Sequence, residues 1–334
     1  MVRLRLPGGR TTGRTLLRLV EIADAYGNGI VQLTSRAGLQ LRGLPDPLPV
    51  AFVDAVAATG LLPAPTHERV RNIVTSPLTG LAGGRADLTG LTTDLDAGLV
   101  AEAALAGLPG RFLFVLDDGR GDLMDLAFDL GYQAAGPDAG TVLVGSPERG
   151  FPVAAADAAA TLVRLACRFH HARSASGAWH VTELPDWVDG LDLAAVEPVR
   201  GVGSAPLGTV GPTASVLVPL ARLTRPQAAV VARLTGAGPA VITPWRGLVL
   251  PGAADRLAEL AAVGLVVEEE SVWSRLTACV GAPYCSRARA DTGAAARALV
   301  ARGGALTRTH VSGCERRCGA PPSAHVGLVV GEPR

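Results

Sequence analysis

Four of the five cysteines fall in two tight pairs near the C-terminus. Cys279 and Cys285 bracket Val-Gly-Ala-Pro-Tyr, and Cys314 and Cys318 bracket Glu-Arg-Arg. Thiolates are soft ligands suited to zinc or to iron–sulfur clusters. A structural zinc site spaces each pair by about two to four residues. The first pair is wider than that, which favours a [4Fe–4S] cluster on Cys279, Cys285, Cys314 and Cys318. Gly281, Pro283, Gly313 and Gly319 surround these residues and let backbone amides approach the sulfurs. Ordinary buried or free thiols would account for one such pair more readily than for two. Cys167 stands alone in the apolar run Leu162 to Phe169 and is expected to be a small core residue.

The basic residues are the second candidate set. The chain has no lysine, so all 31 basic side chains are arginine. Codon usage in a GC-rich genome explains that total, as it explains the abundant Ala, Gly and Pro. Only the placement of individual arginines carries an argument. The hairpin Ile30–Thr34 and Leu39–Arg42 is the clearest case. Leu39 and Leu41 share one face of the returning strand, and Gln40 and Arg42 share the other.

That hairpin follows a helix, in which Leu16, Leu17, Leu19, Val20 and Ala23 keep helical spacing until Gly27-Asn28-Gly29 stops it. The pattern recurs at an offset of 209 residues. Thr15, Gly27, Gly29, Thr34, Gly38, Leu39 and Leu41 match Thr224, Gly236, Gly238, Thr243, Gly247, Leu248 and Leu250 without a gap. Two copies of a helix–hairpin unit predict two halves packed about a pseudo-twofold axis, with a ligand site between them.

The stretch between the halves is rich in Pro, Gly and Ser. Its Gly201-Val202-Gly203 lacks the third glycine and the following helix of a dinucleotide fingerprint. The expected organisation is a helix–hairpin unit over 1–60, an α/β domain over 61–150 and a linker over 151–210. A second helix–hairpin unit over 211–265 and a cysteine-bearing domain over 266–334 complete the α+β chain.

Composition excludes several classes. A chain of 334 residues with 48% hydrophobic and 18% charged content is folded rather than disordered. A net charge of +1 points to no nucleic acid. No apolar run is long enough for a membrane helix, and no secretory signal is visible. A cytoplasmic protein is expected, in which cysteines bind metal rather than form disulfides.

The motifs resemble those of siroheme-dependent nitrite and sulfite reductases. Leu33 to Gly43 looks like their tetrapyrrole-binding hairpin, Val70 to Gly80 like their second loop and Leu108 to Phe112 like a third. Asp125 to Phe128 and Val142 to Gly145 resemble the strands that follow. Both cysteine pairs match the family's cluster spacing. Within the superfamily the nearest likeness is to the precorrin-3B synthase family of aerobic cobalamin biosynthesis. It rests on His310 to Cys314, Ala278 to Pro283 and Thr243 to Leu248.

This resemblance implies that 1–60 and 211–265 are ferredoxin-like half-domains, 61–150 an α/β tetrapyrrole-binding domain and 266–334 a [4Fe–4S]-binding domain. It implies an O2-dependent monooxygenase that hydroxylates precorrin-3A at a meso carbon and closes a lactone. It also implies an external electron donor, a reductase or ferredoxin, and a mononuclear non-heme iron besides the cluster. Six histidines are present, His170, His171, His180, His310 and His325 among them, and no spacing singles out ligands for that iron.

On this reading the tetrapyrrole is substrate and sits where siroheme sits in the reductases. Arg36, Gln40, Arg42, Arg71, Asn72 and Arg111 would hold its carboxylates, the arginines through bidentate hydrogen bonds. Ala37 stands where the reductases have Gln, Arg111 where they have Lys, and Glu315-Arg316-Arg317 where they have a Pro-Asn-rich turn. Loss of that compact Lys charge speaks against the first alternative, a siroheme-dependent nitrite or sulfite reductase. A non-enzymatic iron–sulfur or zinc module is the second alternative.

Overall fold

The structure, a computed structural model, is described for residues 1–334 apart from 202, 304–306, 322 and 332–334. Val202 of the incomplete fingerprint lies outside the described residues.

Two small antiparallel sheets form the centre. The first runs Val2–Leu4, Leu39–Leu41, Val31–Leu33, Arg222–Leu223 in spatial order. The second runs Gly208–Val210, Thr213–Leu217, Gly247–Pro251, Pro239–Ile242, Arg10–Thr12. Each sheet takes its last strand from the other half of the chain. Leu223 pairs with Val31 in the first sheet, and Thr11 pairs with Ala240 in the second. This exchange realises the two-halves expectation and locks the halves together through backbone hydrogen bonds.

The helices Gly13–Tyr26 and Arg225–Thr235 pack on each other over these sheets. Leu16, Leu19, Val20 and Ala23 of the first are buried, as their spacing requires. The contact is close because Gly13 has no side chain: a Cβ there would lie 2.3 Å from Thr235 Oγ1.

The repeat needs one correction. Thr12, not Thr15, caps the first helix by accepting from the Thr15 amide, and Thr224 caps the second in a capping box with Gln227. The first helix has 14 residues and the second 11, so the offset is three residues larger before the helices than after them. The preceding turns agree: Gly8 and Gly9 have φ of 64° and 69°, and Leu220 and Ala221 have 55° and 59°. Sequence identity alone matched Thr15 to Thr224 because a length change inside a helix leaves no mark in an ungapped comparison.

Beside the central sheets stands a six-stranded mixed sheet, in the order Ala194–Ala195, Arg149–Ala154, Ala139–Val144, Leu130–Ala134, Phe114–Asp117, Ile73–Thr75. Helices Thr89–Ala101 and Ala158–Ala172 cover it and share one apolar core with it. The expected linker over 151–210 is therefore wrong for much of its length. Its strand and helix belong to this sheet, and Leu162, Leu165, Ala166 and Phe169 bury a helical face in the core. A helical pattern near Ala158 to Phe169 is legible in the sequence, but the Pro and Gly density around it hid that its apolar face needs a core partner. Cys167 packs half-buried at the edge of the same core.

A smaller parallel sheet, Leu276–Ala278, Thr309–Ser312 and Val326–Val329, carries the cysteine loops, with helix Thr292–Ala301 against it. No helix among the described residues is long and apolar enough to cross a membrane.

Candidate active site: an arginine face beside the cysteine loops

The first sheet buries Leu4, Val31, Leu33, Leu39 and Leu41 on one side. Strand alternation then places Arg3, Gln32, Gln40, Arg42 and Arg222 on the other. Register aligns four of them in one row: Arg3 opposite Gln40, Gln40 opposite Gln32, Gln32 opposite Arg222. The two glutamines fix Arg42 from below. Its Nε donates to Gln32 Oε1 at 2.9 Å and its Nη2 to Gln40 Oε1 at 2.7 Å.

At one end of the row Arg3, Arg5, Arg36, Gln40 and Arg111 line a cavity of about 200 Å³. Arg36 Nη1 donates to the Arg111 carbonyl at 2.7 Å, and Arg5 Nη2 to the Gly110 carbonyl at 3.2 Å. Burial, then Arg36, Arg3 and Arg69, lower Arg5 to about 10. Burial also lowers Arg36, against the opposing pull of Asp129. Guanidinium groups crowded and half-desolvated in this way are destabilised until an anion joins them.

At the other end a second cavity of about 190 Å³ is lined by Gln32, Arg42, Arg222, Tyr284, Asp291 and Arg297. Here the row meets the cysteines. Burial and then Arg3 lower Arg42, against the opposing pull of Cys285, Cys318 and Cys279.

Parallel pairing of Ala278 with Val311 brings the two cysteine loops off adjacent strand ends. The Cys279 amide donates to Val311 O at 2.9 Å, and the Gly313 amide donates to Cys279 Sγ at 3.3 Å. The Arg289 amide ties its loop to the Gly313 carbonyl at 3.0 Å, and Thr292 Oγ1 donates to the Cys279 carbonyl at 2.6 Å. All four cysteines are free; Cys318 is exposed and the other three are half-buried. An amide donated to sulfur stabilises a thiolate, so these loops suit a soft metal or cluster.

Comparison with known proteins agrees with this architecture. Residues 1–47 match the family model of the nitrite/sulfite reductase ferredoxin-like half domain. The chain is 28% identical over 396 aligned positions to a ferredoxin–nitrite reductase of Synechococcus elongatus, covering 98% of this chain and 76% of that protein. A second ferredoxin–nitrite reductase, from Leptolyngbya laminosa, is 25% identical with the same coverage. The solved structure of the Mycobacterium tuberculosis NirA protein shares the fold, with a TM-score of 0.71 at 18% identity over 94% of this chain and 67% of that one. The N-terminal unit thus carries the family's half-domain pattern, and the chain is similar to ferredoxin–nitrite reductases along nearly its whole length.

The structure does not gather all of the expected clamp. Arg36, Gln40 and Arg111 share the first cavity and Arg42 lines the second. Arg71 lines neither. It is 5% exposed, and its Nε and Nη2 grip the two carboxylate oxygens of Asp96 at 2.7 Å each, while Nη1 reaches Glu68 at 3.0 Å. A buried cation has to be paired, and its partner on a distant helix is invisible to local sequence. Asn72 is likewise structural: its amide donates to the carbonyls of Arg69 and Gly110.

Three arginines of the face escaped sequence reasoning. Arg3 and Arg5 alternate with Leu4 and Leu6, a period-two signal that was legible. Arg222 was not, because its strand is two residues long and belongs to the other half.

Nor do the residues fit the expected mononuclear iron. Among the described residues the one compact group of three ligand-type side chains is Asp117, Asp118 and Asp122, with no histidine. His310 is buried, shares a 2.8 Å hydrogen bond between Nδ1 and Thr277 Oγ1, and leaves Nε2 without a partner. Burial and then Arg246 lower it to about 4, so it is neutral.

Proposed function

We propose that this protein is an iron–sulfur oxidoreductase that holds a polycarboxylate tetrapyrrole on the arginine face of the first sheet. A [4Fe–4S] cluster on Cys279, Cys285, Cys314 and Cys318 would lie beside it and supply one-electron chemistry. One observation carries the reading: the cross-strand row that begins at a cavity lined by four guanidinium groups ends at Arg222, which holds the Cys279 and Val280 carbonyls and lines a second cavity with Arg42 and the first cysteine loop. Several fixed cations are what a flexible polyanion needs for a single orientation.

Two forms of this chemistry fit the same face. In one, the tetrapyrrole is siroheme, a resident cofactor, and the chain reduces nitrite or sulfite. The ferredoxin–nitrite reductases that match along nearly the whole chain support it. In the other, the tetrapyrrole is the substrate precorrin-3A, hydroxylated with O2 and external electrons. The lining of the first cavity favours this form. Reducing nitrite consumes protons at every stage, yet the charged side chains there are Arg3, Arg5, Arg36 and Arg111. Arginine holds its proton near neutral pH and is a poor acid.

The visible spectrum of protein purified without oxygen tests the proposal. Strong macrocycle bands with iron and sulfide would establish the reductase form. A brown shoulder alone, with saturable binding of precorrin-3A, would establish the substrate form. Colourless protein carrying stoichiometric zinc would overturn both.

A further inference from the structure

Arg222 links the arginine face to the first cysteine loop, and nothing in the proposed chemistry has yet used it. Its backbone pairs with Gln32 in the first sheet, so it stands at the end of the cationic row. Its side chain points to the other domain: Nη2 donates to the Val280 carbonyl at 2.8 Å and, at 3.4 Å, to the carbonyl of Cys279. Room for it is provided by a glycine. A Cβ on Gly293, in the first turn of the helix Thr292–Ala301, would lie 2.0 Å from Arg222 Nη1.

The pseudo-twofold axis supplies a control. Arg10 is the symmetry mate of Arg222, since it pairs with Val241 where Arg222 pairs with Gln32. Among the described residues the Arg10 side chain makes a single hydrogen bond, to Thr89 Oγ1 at 3.2 Å, and holds no loop carbonyl. The two-carbonyl grip belongs only to the half that carries the cysteines.

We propose that Arg222 is a positioning residue for the cluster: it fixes the Cys279–Val280 turn and, as a cation beside that ligand, favours the reduced cluster. The proposal rests on the reading that the four cysteines hold a [4Fe–4S] cluster. Reduction adds negative charge, so removing a nearby cation makes it harder. An outer group that orients a ligand also governs how firmly the metal is held.

The test is redox titration of the holoprotein, followed by electron paramagnetic resonance, with bleaching by an iron chelator measured in parallel. Arg222→Ala is expected to lower the equilibrium constant for reduction about tenfold, which is about 59 mV for a one-electron couple. It is also expected to speed chelator bleaching about tenfold. Arg222→Lys keeps the charge but not the fork, and should shift both less. Gly293→Ala leaves Arg222 in the sequence but expels it from its seat. It should speed bleaching and alter the resonance, although Ala is the better helix former.

If Arg222→Ala does not fold, the other two variants decide. Parent protein with a cluster, and variants that match it in potential, resonance and bleaching, would overturn the role of Arg222 and leave the cluster reading intact. Parent protein without iron and sulfide would overturn both.

Discussion

The two α/β ends of the molecule are built alike and filled differently. At the first, Thr75 pairs with Leu116, the Ser76 amide donates to the Leu116 carbonyl at 3.0 Å and the Asp118 amide donates to Ser76 Oγ at 3.1 Å. At the second, Ala278 pairs with Val311, the Cys279 amide donates to the Val311 carbonyl at 2.9 Å and the Gly313 amide donates to Cys279 Sγ at 3.3 Å. One backbone arrangement presents a hydroxyl in one half and a thiol in the other.

The loops that follow diverge. The first supplies Asp117, Asp118 and Asp122 and gives them partners from within the loop and from Ser76. Arg120 binds both oxygens of Asp118, at 2.8 and 2.6 Å, and Asp117 accepts the amides of Gly119 and Gly121 at 2.9 Å each. The second supplies Cys314 and Cys318 and contains no such internal partner among the described residues. A site satisfied by its own arginine is closed, whereas one that leaves four free thiols near a cationic face asks for a metal centre.

Breaking the open end should have the largest effect. Cys314→Ser is expected to abolish the brown chromophore and lower the thermal stability of the second half, because cluster binding contributes to folding. Visible absorption and a thermal melt measure it. Unchanged absorption would mean that the two ends differ less than their side chains imply.

Breaking the closed end comes next. Arg120→Met leaves Asp118, which is fully buried, without its counter-charge. A loss of about 3 kcal/mol is expected in chemical denaturation, with the chromophore intact. A variant as stable as the parent would show that the arginine does not close the site.

Titration sharpens the contrast further. Burial, reinforced by Asp117 and opposed by the Ser76 hydroxyl, pushes the Asp122 carboxyl from its ordinary value of 3.8 up to about 7. Between these values the native state holds a proton that the unfolded chain has released. Stability therefore falls as pH rises through that window and stays low above it. Asp122→Asn should flatten this decline, seen by denaturation at pH 4 to 8. An unaltered profile would place the titration elsewhere.

The smallest expected effect on the cluster comes from the face between the ends. Arg42→Ala should weaken tetrapyrrole binding and leave cluster content unchanged, and Arg42→Lys should recover only part of the affinity because it lacks the fork. Equal affinity in all three proteins would remove Arg42 from the clamp.

Local pattern was enough for much of this. Cysteine spacing, the helix ending at Gly27 and the alternation of Leu39 and Leu41 with Gln40 and Arg42 depend on neighbours within a few residues, and the duplication of the hairpin is read by comparing two such local patterns. All of these were legible in the sequence.

Tertiary structure decided what depends on distant partners. It turned Arg71 away to Asp96, because burial makes an unpaired cation costly. It drew the strand Arg149–Ala154 into the six-stranded sheet and packed the helix Ala158–Ala172 on that sheet, because the helix's apolar face needed a core. It brought Arg222 to the first sheet by exchanging strands between halves, a pairing of segments nearly two hundred residues apart that no local rule encodes. Side-chain type is written in the chain, but which charges meet and which stay free is settled only when the halves close on each other.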